Sequence, residues 1–399
     1  MSPRPFTGSL AFALALAITA AACGGGSQEQ PAAPAGEMAA APATTEGQIP
    51  TFQVDPMWPK PLPNNWVVGN VIGISVDSKN QIWMLHRPSS LADDEKGATL
   101  TPPTAECCVP APPVLVFDQA GNLLKSWGGP GEGQEWVQSE HGLYVDHQDN
   151  VWVTGQGETD QALKFTPEGK LLLKVGRTAK TAGSNDTASL GKPTKVAVDP
   201  ETNEIFVADG YGNRRVIVFD ANTGAYKRHW GAYGNKPDDA SAYNSVSAVV
   251  GKDYDPAAAP SQQFGRCVHG VVLSKDGLLY VADRTNNRIQ VFKKDGTFVK
   301  ELFINKNARG YGSAFDVALS PDQQFLYNVN GVDRKINIIR RDTMEPVGSF
   351  GGPGRGAGQF YIAHSIAVDN TGNIYIGETI NGKRIQRFVN KGTGPASAD

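Results

Sequence analysis

An all-β fold, a six-bladed β-propeller, is what this sequence predicts, on three observations. A segment reading strand, Asp/Ser turn, strand recurs six times, and a further apolar strand follows each copy. The spacing of roughly 40 to 50 residues per unit is that of a four-stranded blade. The copies begin at Gly73, Gly142, Lys195, Gly270, Asp316 and Ser365, as in Gly142-Leu-Tyr-Val-Asp-His-Gln-Asp-Asn-Val-Trp152. The strands that follow begin at Val114, Ala162, Arg215, Arg288, Lys335 and Arg384. Short apolar runs split by Asp, Asn and Gly are strand and hairpin signals.

Along the chain, Arg4 precedes an apolar, alanine-rich run over residues 10–22 that ends at Cys23-Gly-Gly-Gly. Residues 1–22 therefore read as a signal peptide, too short for a good membrane span. Ala20-Ala21-Ala22-Cys23 resembles a bacterial lipoprotein cleavage site, so lipidation of Cys23 is expected, with ordinary cleavage after Ala22 as the alternative. Residues 23–50, rich in Ala, Pro, Gly and Gln, read as a flexible linker, lipid-anchored or free. The propeller is expected over residues 51–390, with strand-forming residues 51–54 pairing into the last blade to remove its free edge. A disordered tail is expected over residues 391–399. Two units are stretched, by Pro- and Ala-rich excursions at residues 91–113 and 233–263.

The protein is thus expected to be exported: a lipid-anchored bacterial cell-envelope protein, otherwise periplasmic or secreted, monomeric, and in contact with membrane only through its lipid. A formal charge of −3 with no basic run argues against a nucleic-acid partner. Cys107, Cys108 and Cys267 remain, an odd number. Neighbouring Cys107 and Cys108 are not expected to bridge each other easily, leaving at most one disulfide, for instance to Cys267, or buried free thiols.

Six histidines occur in 399 residues, and three of them, His141, His269 and His364, occupy one position in alternate repeats. Each stands five residues before the residue that opens its turn: Asp146, Ser274 and Asp369. Chance places three histidines so on the order of once in ten thousand, allowing for about 40 columns per repeat. The intervening repeats carry Ile72, Thr194 and Phe315 there. In a ring, the alternation points three imidazoles at one axis, a metal site with an open coordination position. Zinc suits three neutral imidazoles. At the ends of second strands, Arg87, Tyr211 and Arg284 share the same face. Two guanidinium groups suggest a carboxylate-bearing substrate, and a tyrosine beside cations suggests a general base.

The segments Gly210-Tyr-Gly-Asn-Arg214 and Ala282-Asp-Arg-Thr-Asn-Asn-Arg-Ile-Gln-Val-Phe292, with the His-Gly-Leu and His-x-Ile segments, resemble the NHL-repeat peptidyl-α-hydroxyglycine α-amidating lyases, the lyase part of the peptide-amidating monooxygenase. The resemblance spans residues 68–388. It implies zinc at His141, His269 and His364, an active site of Arg87, Arg284 and Tyr211, and a carbon–nitrogen lyase that releases a peptide amide and glyoxylate from a small anionic or C-terminal peptide substrate. It also implies calcium on the carbonyls of Ile74 and Leu143. The family's calcium-binding aspartate corresponds to Ser365, however, which leaves no charged ligand. Ile362 stands where the family has a methionine, and Gly212 where it has a disulfide cysteine. Two other readings remain: a metal-dependent, lactonase-like hydrolase, and a non-catalytic propeller that binds peptide or glycan at the cell surface.

Overall fold

The fold comes from a computed structural model that describes residues 47–131, 135–157, 160–177, 179–240 and 255–395. Six four-stranded antiparallel sheets form the blades. Their innermost strands are Asn70–Val76, Ser139–Val145, Pro193–Val198, Val268–Leu273, Asp316–Leu319 and Ala363–Val368, here called the first to the sixth. Each touches the next and the sixth touches the first, so together they wall a central channel. The expected six-bladed propeller is observed.

Ring closure follows the expected route. Gln48–Asp55 pairs antiparallel with Ile385–Pro395 and becomes the outer strand of the sixth blade, whose other strands come from the far end of the chain. Both boundaries lie further out than residues 51 and 390. Gln48, Ile49 and Pro50 face Pro395, Gly394 and Thr393, and this mutual pairing extends the last strand to Pro395, into the segment expected to be a disordered tail. The expected signal peptide, Cys23 and most of the linker fall in residues 1–46, outside the described residues, as do residues 396–399. No helix among the described residues is long and apolar enough to cross a membrane.

In three of the repeats the turn residue explains the Asp-to-aromatic spacing. Asp146 Oδ1 accepts from the backbone N–H of Gln148 and of Asn150, both at 2.9 Å, and Oδ2 accepts from Trp152 Nε1 at 3.0 Å. Asp77 with Trp83, and Asp369 with Tyr375, repeat the arrangement at 2.9 and 3.0 Å. One carboxylate thus closes the turn and fixes the first large side chain of the next strand. The apolar clusters lie between blades: Phe206, Val218 and Trp230 of the third pack on Leu279, Val281 and Phe292 of the fourth. Each pair of neighbouring blades shares such a cluster. Burying side chains of this size stabilises by about 1.5–3 kcal/mol each.

The cysteine expectation is corrected in part: the described residues hold one disulfide, as the upper limit allowed, but between the neighbours not expected to pair easily. Cys107 and Cys108 bridge each other, with Cα atoms 3.1 Å apart, while Cys267 is a buried free thiol. Cys267 directly precedes the innermost strand of the fourth blade, whereas the bridged pair sits on the 91–113 excursion.

Phe52 on the closing strand packs against Phe350 and Tyr327, with ring centroids at 4.7 and 5.7 Å. Phe52→Ala is expected to destabilise the propeller by about 2–3 kcal/mol, less than a fully buried phenylalanine, because the ring is partly exposed. Denaturant unfolding measures it, and an unchanged midpoint would contradict closure through this strand.

Candidate metal centre

His141, His269 and His364 converge on the channel axis from the second, fourth and sixth blades. Their candidate ligand atoms all lie within 4.8 Å of one another, and all three residues are buried. Local backbone geometry produces the convergence. The pairing of each innermost strand with its neighbour skips register at the histidine: between Glu140 and Gly142, Val268 and Gly270, and Ala363 and Ser365. Such a bulge frees one residue from the ladder and re-aims its side chain. Ile72 and Thr194 sit at the same irregularity in the first and third blades.

These intervening positions hold the imidazoles. His141 Nδ1 lies 3.2 Å from the Thr194 carbonyl oxygen and His269 Nδ1 lies 2.7 Å from that of Phe315. A carbonyl only accepts, so both Nδ1 atoms carry the proton and Nε2 keeps its lone pair. The Ile72 carbonyl stands near His364, whose buried Nδ1 has no partner at hydrogen-bond geometry among the described residues. Gly142 permits the approach: a Cβ there would lie 2.0 Å from the Thr194 carbonyl oxygen. Burial, with the nearby charge of Arg87 and Arg284, lowers the His141 pKa to about 3. Burial likewise holds His269 and His364 well below the ordinary value. All three imidazoles are therefore neutral near pH 7, as ligation requires.

His269 Nε2 is buried with no hydrogen-bond partner among the described residues. An orphaned nitrogen costs free energy unless something binds it. Three neutral nitrogen donors, with no carboxylate among them, fit a borderline divalent cation such as zinc. Calcium does not fit. Ile74 and Leu143 do line the void beside the histidines, together with Ser365 and Asp316, but the Asp316 carboxylate is already held by Lys195 at 2.7 Å.

Arg87, Tyr211 and Arg284 come to the same end of the channel. The repeat motif explains two of them. Asp209 receives Asn213 Nδ2 at 2.7 Å and Arg215 Nε at 2.9 Å, which fastens the loop that presents Tyr211. Asp283 receives Asn286 Nδ2 and Arg288 Nε, both at 2.8 Å, around Arg284. Arg284 Nη1 donates to Tyr211 Oη at 2.8 Å, and that hydroxyl lies 3.4 Å from His141 Nε2. Arg284 Nε donates to the Tyr311 carbonyl at 2.7 Å, and its guanidinium lies 4.1 Å from the Phe315 ring centroid. Arg87 donates through Nε, at 3.0 Å, and Nη2 to the Glu140 carbonyl. Burial pushes the Tyr211 phenol up, against the opposing charge of Arg284, so a phenolate there needs positive charge beyond that arginine.

Several contributors went unseen in the sequence. The Cys267 thiol lies against Tyr211 and Arg284. Trp136 Nε1 donates to Glu140 Oε1 at 2.8 Å, steadying the residue that anchors Arg87. The carbonyls of Thr194 and Phe315 carry no side-chain signal: the sequence puts both residues in the histidine column without showing that their carbonyls face the rings.

Acid should empty this centre. The imidazole of His141 holds a folded-state value of about 3, below the unfolded value near 6.5, and burial holds those of His269 and His364 well below it too. The stability they contribute is complete above pH 6.5 and is lost as pH falls through that window. Bound transition metal, followed by elemental analysis, is expected to stay in place in the folded protein to about pH 4 and to leave as the ligands protonate near pH 3, and His141→Ala is expected to prevent stoichiometric loading at neutral pH. Loss of metal near pH 6 from a still-folded protein would contradict the burial of the imidazoles.

The NHL repeat family matches residues 266–292, the segment that carries His269, Arg284 and the Asp283–Arg288 fastener. Peptidyl-glycine alpha-amidating monooxygenase B of Xenopus laevis is 30% identical over 79% of this chain, which spans 33% of that protein. Peptidyl-alpha-hydroxyglycine alpha-amidating lyase 1 of Drosophila melanogaster is 28% identical over 86% of this chain and 60% of its own length. A solved streptogramin B lyase structure superposes with a TM-score of 0.51 at 12% identity, over 85% of this chain and 98% of that one, a likeness of fold alone. The chain is a six-bladed NHL-repeat β-propeller homologous to the peptidyl-α-hydroxyglycine α-amidating lyases.

Proposed function

We propose that this protein is a zinc-dependent carbon–nitrogen lyase that splits a C-terminal α-hydroxyglycine, or a related carbinolamide, into an amide and glyoxylate. The observation that carries the reading is the meeting of three buried neutral imidazoles with Tyr211 and two arginines at one end of the channel, in a chain homologous to amidating lyases. A divalent cation held by His141, His269 and His364 would supply Lewis acidity at the substrate hydroxyl. A hydrolytic propeller would want carboxylates among its ligands, and this set has none.

The remaining work falls to the chain's own groups. The hydroxyl proton must leave for the carbonyl of glyoxylate to form, and the amide nitrogen must gain a proton as the carbon–nitrogen bond breaks. Tyr211 Oη stands beside His141 and under Arg284, where it takes the first proton as phenolate and returns it to the leaving nitrogen. Arg284 favours that phenolate by charge and hydrogen bond. Arg87 is anchored through Nε and Nη2 and Arg284 through Nε and Nη1, so Nη1 of Arg87 and Nη2 of Arg284 are left to take the substrate carboxylate and the developing glyoxylate. We infer that the enzyme is exported and anchored through Cys23, a reading supported by the charge and apolar pattern of residues 1–23.

Glyoxylate release from a synthetic α-hydroxyglycine peptide tests the reaction; amide without glyoxylate would overturn it. Tyr211→Phe is expected to lower kcat by about 10²–10⁴ while metal content stays unchanged, and undiminished turnover would remove Tyr211 from the role of base. Arg284→Lys keeps the charge but loses the fork, so it is expected to raise KM for the carboxylated substrate while leaving bound metal in place.

A further inference from the structure

Beside the imidazoles the channel contains a void of about 10 Å³, room for a single water or ion. The residues that directly follow the histidine column are Gly73, Gly142, Lys195, Gly270, Asp316 and Ser365. Four are small, and two carry opposite charges. Lys195 Nζ lies 2.7 and 2.8 Å from the two carboxylate oxygens of Asp316, and both side chains are largely out of water. Asp316 Oδ1 also accepts from Val317 N–H at 2.8 Å, and Oδ2 from Ile366 N–H at 3.1 Å. Gly270 makes room for the carboxylate: a Cβ there would lie 2.7 Å from Asp316 Oδ1.

The neighbours of this pair are the supports of the metal centre. Lys195 follows Thr194, whose carbonyl receives His141, and Asp316 follows Phe315, whose carbonyl receives His269. Ile366 lies two residues beyond His364 on the same strand. One ion pair therefore ties together the third, fifth and sixth blades at the segments that orient His141 and His269 and at the strand that carries His364. Calcium asks for six to eight oxygens and a net negative cage. Here the one carboxylate lining the void is neutralised from within, and Ser365 adds no charge.

We propose that Lys195 is the resident cation of this channel: its ammonium, clasped by Asp316, ties the blades together as a bound divalent cation would, so the three-imidazole ring is held without a second metal. The inference rests on the histidine geometry and not on the reaction proposed above. Thermal unfolding and metal analysis of the full propeller, each with and without excess calcium, test it. Wild type is expected to show the same midpoint and metal content in both conditions. Lys195→Met leaves a buried carboxylate unpaired, so its midpoint is expected to fall by several degrees and its zinc affinity by about tenfold. Calcium, drawn to the vacated carboxylate, is expected to restore both. Lys195→Met/Asp316→Asn is expected to recover much of the loss and to ignore calcium. A wild-type midpoint that rises with calcium overturns the proposal. So does a Lys195→Met protein that matches wild type, or one that is destabilised yet indifferent to calcium. If Lys195→Met does not fold, the wild-type and double-variant arms decide between the same outcomes.

Discussion

The hydrogen bond from an imidazole Nδ1 to a neighbouring blade's backbone carbonyl is the interaction on which the channel depends. Six equivalent slots face a narrow axis, and six side chains cannot all fill it. Three slots therefore send in imidazoles, while the others turn their carbonyls toward those rings: Thr194 to His141, Phe315 to His269, and Ile72 beside His364. The pattern sets tautomer and ring direction together, which is what a ligand needs before any metal arrives. It also explains why the blade interfaces matter to chemistry: a carbonyl is only as well placed as the packing of the blade that carries it.

Stability is committed to the site in a second way. Asp209 with Arg215 and Asp283 with Arg288 are fully buried ion pairs. Burying such charges gains little net stability, yet removing one partner costs about 3–5 kcal/mol. Their return is positional. Each pair, with Asn213 or Asn286 as a further strut, shapes the short loop that presents Tyr211 or Arg284. Arg87 has no such fastener and is held instead through the Glu140 carbonyl, directly before His141, so its position follows the histidine strand.

The repeat, the six blades, the closing strand and the histidine convergence were all legible, because each leaves a periodic mark in residue type. Strand ends were less so: Gln48 and Pro395 extend the closure through backbone pairing, which no side chain announces. The Cys107–Cys108 bridge was misjudged from adjacency alone. The carbonyl acceptors were invisible for the same reason as the strand ends. Lys195 and Asp316 did leave a mark, as the two charged residues in a column otherwise Gly or Ser, but only the folded ring shows that they meet. The approach of Cys267 to Tyr211 is a long-range contact of a residue that reads as ordinary core.

Charge balance joins these parts. Arg87 and Arg284 both help keep His141 neutral, which makes it a better ligand but surrounds any bound divalent cation with further positive charge. In a buried channel that repulsion is poorly screened. Two negative groups can relieve it: a Tyr211 phenolate and the carboxylate of a substrate in the arginine fork. Burial alone pushes Tyr211 toward its neutral form, so its ionisation draws on the same excess of positive charge. Metal and phenolate reinforce one another, as do metal and anionic substrate, since each lowers the cost of the other and such coupling is reciprocal, whereas the two anions draw on the same excess of positive charge. A neutral substrate would find the same cavity without that reinforcement, so the proposed preference for a carboxylate would rest on the site's net charge as much as on the geometry of its two guanidinium groups.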